Sequence, residues 1–126
     1  MRNPCSPGTH IECRRMTGIL SIVGDKWTVI IVMVLRQQPR RFNDLKRTIG
    51  GISQQMLTRT LKALDRDGMI ARTVHPTVPP QVEYALTPLG HSLSEPVHEL
   101  GEWAQAHLDE IEENRSRYDD RLPATA

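Results

Sequence analysis

The chain changes period at Gly68. Before it, Leu57, Leu61 and Leu64 recur at helical spacing and would line one face, with Gly68 supplying the left-handed residue that ends the helix. After it, Ile70, Arg72 and Val74 alternate with Met69, Ala71 and Thr73. Beyond a Pro-rich tip at 75–80, Val82, Tyr84 and Leu86 alternate with Gln81, Glu83 and Ala85. This pattern predicts a two-stranded antiparallel hairpin with a long tip. The fold class is therefore mainly α with a small β-hairpin.

Helical signals fill the stretch before that change. A first helix is expected over about 12–23, with Met16, Ile19, Leu20 and Val23 on one face. Gly24 ends it and Asp25 can cap the next, whose stripe of Trp27, Ile30, Ile31, Val34 and Leu35 marks the most buried helix. Gln37, Gln38 and Pro39 break that helix. Phe42, Leu45 and Ile49 mark a short third one, stopped by Gly50 and Gly51. The fourth has the clearest start: Ser53 as N-cap, with Ile52 and Leu57 placed to close a hydrophobic staple over it.

Past the hairpin, Thr87 caps and Pro88 takes the first position of a last long helix. Its stripe is Leu89, Leu93, Val97, Leu100, Ala104, Leu108 and Ile111, which outruns any core the hairpin could offer. Acidic residues (Glu99, Glu102, Asp109, Glu110, Glu112, Glu113) cover its other side, which predicts a two-fold homodimer built on this helix and the first. Pro96 lies inside it and should kink it.

With 126 residues, 38% apolar, 25% charged and a mean hydropathy of -0.43, the chain suits one domain with one core. The longest apolar run, 29–35, is far short of the roughly 20 residues of a membrane span. Lacking a readable secretory signal, the chain is expected in the cytoplasm, away from membranes.

A net charge of +1 hides a segregation. Residues 36–73 carry nine basic and three acidic side chains, a net of +6, whereas 95–121 carry three basic and nine acidic ones, a net of -6. One face for phosphate and another for a protein partner would give this footprint.

Helices with a tight turn before the last, followed by a hairpin, form the layout of a winged helix-turn-helix domain with N- and C-terminal dimerisation helices. In that layout the helix after the turn enters the major groove of double-stranded DNA. Its outer face offers Gln54, Gln55, Thr58 and Arg59 as base contacts: Gln can pair with adenine, Arg with guanine, and the Thr methyl can meet a thymine methyl. Arg40, Arg41, Lys46, Ser53 and Lys62 are the expected phosphate contacts, and His75, Thr77 and Gln81 the wing contacts. The expected dimer interface comprises Met16, Ile19, Leu20, Leu93, Val97, Leu100, Trp103, Ala104, Leu108 and Ile111. A two-fold dimer would place its recognition helices about 34 Å apart and read a near-palindromic operator. The competing reading is a winged-helix module that binds protein without specific DNA binding; the polar outer face and the basic stretch favour DNA.

The boundaries read as a mobile arm at 1–10, a winged domain at 11–113 and a tail at 114–126. Within the domain, the helix-turn-helix spans about 42–67, the wing about 69–87 and the C-terminal dimerisation helix about 88–113.

Six motifs in order carry a family resemblance. They are Gly24-Asp25-Lys26-Trp27; the Arg40-Arg41-Phe42-Asn43-Asp44-Leu45 step; Ile52-Ser53-Gln54-Gln55-Met56-Leu57-Thr58-Arg59-Thr60-Leu61; Asp67-Gly68; the 78–90 stretch ending in Thr87-Pro88-Leu89-Gly90; and Trp103. Over about 13–107 the chain resembles the HxlR-type regulators, a MarR-like branch of winged-helix proteins. The resemblance implies a bacterial or archaeal transcriptional regulator acting as a homodimer through its first and last helices.

It also draws attention to Cys13, which lies where many such proteins carry a cysteine that in some of them senses oxidants or electrophiles; here Arg14 stands where Pro often follows. Arg14 and Arg15 would favour the reactive thiolate, and Cys5 is the candidate resolving partner. The plainer reading of Cys13 is a small buried apolar residue. Control by thiol modification or by a small ligand follows as an expectation. Cys5, His10 and Cys13 lack a fourth ligand and usual zinc spacing, so no metal is expected. No catalytic triad, phosphate-binding glycine loop or paired carboxylate set is present, so neither cofactor nor enzyme activity is expected.

Overall fold

The computed structural model describes residues 10–122. The chain runs α1 (His10–Val23), α2 (Lys26–Gln37), β1 (Arg40–Arg41), α3 (Phe42–Ile49), α4 (Gln54–Arg66), β2 (Ile70–His75), β3 (Gln81–Leu86) and α5 (Pro88–Arg121). The expected 1–10 arm lies outside the described residues except for His10, which already belongs to α1.

Three helix starts are held by the caps that the sequence announces. The Asp25 carboxylate accepts from the Trp27 and Thr28 amides at 2.9 and 3.3 Å. Ser53 Oγ accepts from the Met56 amide at 3.0 Å, and Thr87 Oγ1 from the Gly90 amide at 3.1 Å, with Pro88 opening the helix. Each cap satisfies an amide that the first helical turn leaves without an internal acceptor.

One core cluster unites Ile31 and Leu35 of α2, Leu45 of α3, Leu57, Leu61 and Leu64 of α4, Ile70 of β2 and Leu86 of β3. Ile52, just before α4, joins Leu57 in it, as the staple requires. α2 contributes Thr28, Ile31, Val32 and Leu35 as its buried residues. Its buried face is thus turned from the expected stripe, and Trp27 and Val34 pack on the margin.

The hairpin has a third strand that the sequence reading lacked. β1 pairs antiparallel with β3, Arg40 opposite Tyr84 and Arg41 opposite Glu83, giving the order β1-β3-β2. Two residues show no period of their own, so only the distant pairing defines this strand. β2 and β3 run from Ile70 opposite Leu86 to His75 opposite Gln81.

The junction between hairpin and last helix is tight. Thr87 donates its amide to the Met69 carbonyl at 3.0 Å and its hydroxyl to the Gly68 carbonyl at 2.5 Å. A Cβ on residue 90 would lie 2.0 Å from the Met69 oxygen, so only glycine fits Gly90. Gly68 itself takes φ 75°, the left-handed conformation that its C-terminal role requires.

α5 continues to Arg121 instead of stopping near 113, which corrects the expected tail. Neither Gly nor Pro occurs in residues 102–122, and local contacts extend the helix. Arg117 donates to Asn114 Oδ1 at 2.6 Å, and the Arg121 guanidinium lies 5.4 Å from the Tyr118 ring centre. The buried residues of α5 are Gly90, Ser94 and Val97; everything beyond projects from the core.

Candidate nucleic-acid interface

α4 divides its surface sharply. Leu57, Thr60, Leu61 and Leu64 are buried, while Gln54, Gln55, Arg59 and Lys62 are exposed and Thr58 is half-buried. The first turn holds no acidic residue, so the positive end of the helix dipole is uncompensated there. Thr60 Oγ1 donates back to the Met56 carbonyl at 2.8 Å, which turns that hydroxyl inward and leaves Thr58 as the hydroxyl of the outer face.

The expected phosphate contacts surround this face unequally. Arg41 and Lys46 are exposed, and among the described residues neither they nor Arg59 and Lys62 enter an ion pair. Arg47, by contrast, pairs with Asp44 on its own helix. Ser53 Oγ is already the cap acceptor, so only its hydroxyl hydrogen remains to be offered outward. Arg40 is half-buried, with Nε enclosed and without a hydrogen-bond partner. It is a wall residue as much as a rim cation.

At the wing, Thr77 donates its amide to the His75 carbonyl and its hydroxyl to the Pro79 carbonyl, both at 2.8 Å, folding the tip. His75 Nε2 lies 3.7 Å from Glu83 Oε1, and Gln81 is half-buried at the start of β3. Val78 is wholly exposed at the tip. One residue with no expected role now joins the set: Arg72 lines a slot of about 390 Å³ with Thr58, Lys62, Asp65 and Tyr84. Strand alternation places Arg72 on the face shared with Ile70 and Val74, but only the folding of β2 onto α4 brings it beside Lys62.

Away from this face, the expected dimer residues sort into two groups. Met16, Ile19, Leu20, Leu100, Trp103, Ala104 and Leu108 are exposed, and Leu93 and Ile111 are half-buried. Val97 is 6% exposed and mostly covered by its own chain, although it still lines an apolar groove together with Leu93 and Leu100. This groove of about 580 Å³ between α1 and α5 is lined by Ile19, Leu20, Val23, Leu89, Leu93 and Leu100 among others, with no charged side chain in its lining. Trp103 stacks on His107 with ring centres 4.4 Å apart, outside this groove. Cys13, on α1, is engaged in a disulfide, whereas Cys5 lies outside the described residues. Among the described residues no cluster of His, Cys, Asp and Glu could hold a metal ion, and no single helix is long and apolar enough to cross a membrane.

Comparison with known proteins agrees with this geometry. The HxlR-like helix-turn-helix family matches residues 22–112. YtfH of Escherichia coli K12, an uncharacterized HTH-type transcriptional regulator, is 46% identical over 93 residues, 74% of each chain. The structure described as the transcriptional regulator ytfH of Salmonella typhimurium superposes with a TM-score of 0.76 at 40% identity, covering 80% of this chain and 90% of that one. The redox regulator HypR in its oxidized form gives a TM-score of 0.69 at 36% identity, over 73% and 95% of the two chains. These relatives are transcriptional regulators and not enzymes. A capped helix whose first turn carries no acidic residue, flanked by a three-stranded wing, is thus found in a chain that belongs to the HxlR-like family of helix-turn-helix transcriptional regulators.

Proposed function

We propose that the chain is a homodimeric regulator that reads double-stranded DNA with α4. The observation that carries this is the exposed Gln54, Gln55 and Arg59 set, with half-buried Thr58, on the first turns of a helix whose other face is locked into the core. Rigid backing matters because a two-pronged contact to a base edge tolerates little motion. Arg41, Lys46, Ser53 and Lys62 would hold the phosphates, with Arg72 joining Lys62 from the wing base. Arg40 would act from the same rim, and His75, Thr77 and Gln81 would follow the wing along the backbone.

Dimerisation would close the apolar groove between α1 and α5 against a second copy, since a surface of this composition is costly to leave in water. The test is a mobility-shift titration on a random duplex across a salt series. Binding that weakens linearly in log salt, with a smaller slope for Lys46→Ala, is expected. Salt-independent binding, or none, would leave the protein-binding module as the better reading.

Thiol control is favoured by the disulfide at Cys13 together with the likeness to HypR. Two thiols would give up two protons and two electrons to an oxidant such as diamide, forming a bond at the α1 end of the proposed interface. DNA titrations with and without diamide should differ for wild type and not for Cys13→Ser. A response that persists in Cys13→Ser would remove this control while leaving DNA binding in place.

A further inference from the structure

We propose that Arg36 is a positioning residue that sets the direction of the projecting part of α5, and thereby the half-site spacing at which the dimer reads DNA. This rests on the dimeric DNA-reading function above. The last buried residue of α5 is Val97, after which about 24 residues run outward at about 1.5 Å each, an arm of roughly 36 Å. Just before that point the helix passes Pro96, which has no amide to give to the Ser92 carbonyl, so its backbone ladder is weakest there.

At that point α2 reaches across. Arg36, in the last turn of α2, donates Nη1 to the Ser94 carbonyl at 2.7 Å and to Ser94 Oγ at 3.4 Å, while Nη2 meets Glu95 Oε1 at 3.2 Å. Ser94 is 2% exposed, and its hydroxyl donates to the His91 carbonyl at 2.6 Å. A planar guanidinium bound at three acceptors fixes orientation as well as distance, which a flexible ammonium would not. Its root does not give, because α2 carries Ile31, Val32 and Leu35 in the core.

The consequence scales with the arm. Turning an arm of roughly 36 Å by about 5° moves its far end by about 3 Å, close to the rise of about 3.4 Å per base-pair step. The clasp is therefore placed where a small angular freedom becomes a full register of DNA.

The experiment uses the full chain and a duplex enriched by the wild type from a randomised pool, remade with one or two base pairs inserted between its half-sites. Wild type should lose about tenfold in affinity on a one-base-pair insertion. Arg36→Ala should bind both duplexes within about threefold of each other, with dimer mass by light scattering unchanged. Arg36→Lys, which keeps the charge and removes the fork, should also discriminate less than wild type. Glu95→Gln should do so by a smaller margin, and these two variants decide the matter if Arg36→Ala fails to fold. Full spacing discrimination in folded Arg36→Ala, or in Arg36→Lys and Glu95→Gln, would overturn the role of the clasp alone. A wild type that is monomeric or enriches no duplex would overturn the dimeric reading and the clasp with it.

Discussion

Leu61 and Leu100 are the same residue on two helices of similar apolar spacing, yet one is 2% exposed and the other 59%. The winged core, from α2 to the start of α5, closes on itself: its apolar stripes meet from four directions and its polar faces meet solvent. The flanking helices do not. α1 and the arm of α5 carry Ile19, Leu20, Leu100, Trp103 and Leu108 with nothing among the described residues to cover them. The charges follow the same division, basic over the reading module and acidic along the arm. An apolar stripe announces burial, and the difference between the two regions shows whether its own chain supplies the cover.

The sharpest way to break this comparison is to make the same substitution in both regions. Leu61→Asp should abolish cooperative unfolding by circular dichroism, because an unpaired carboxylate in the core costs more than about 4 kcal/mol, comparable to the whole stability of such a domain. Leu100→Asp should keep the helical spectrum and unfolding transition while halving the mass seen by light scattering and removing operator binding. Loss of folding in Leu100→Asp would show that the arm belongs to the core's cooperative unit.

Smaller effects sharpen the account of the reading face. Arg59→Ala should cost about 1–3 kcal/mol against the preferred base and relax selectivity at one position in a competition assay. Lys46→Ala should weaken all duplexes alike and lower the salt slope by about 0.9.

Most of the core was legible because its signals are local. Caps at Asp25, Ser53 and Thr87, the left-handed Gly68 and the change of period after it each depend on a few neighbouring residues. β1 was not legible: Arg40 and Arg41 become a strand only because β3 returns beside them. Val97 shares the spacing of Leu93 and Leu100 and lines the same groove, yet its own chain already covers most of it, and spacing does not show how much of a stripe its own chain covers. The extent of α5 is not legible from its apolar stripe, which ends at Ile111, whereas Arg117 with Asn114 and Arg121 with Tyr118 support further turns. Of the reading face, the residues on α4 were visible from composition and position, whereas Arg72 required the fold. Arg36 looked like one basic residue among nine, and only its reach to Ser94 distinguishes it.

The most direct measurement is a stoichiometric titration of the full chain into a fluorescent duplex enriched from a randomised pool, followed at several salt concentrations. The expected result is saturation at two chains per duplex, affinity falling with salt, and selectivity reduced by Gln55→Ala and by Arg59→Ala. Failure of the chain to enrich any duplex, or equal selectivity in wild type and both variants, would contradict DNA reading by α4.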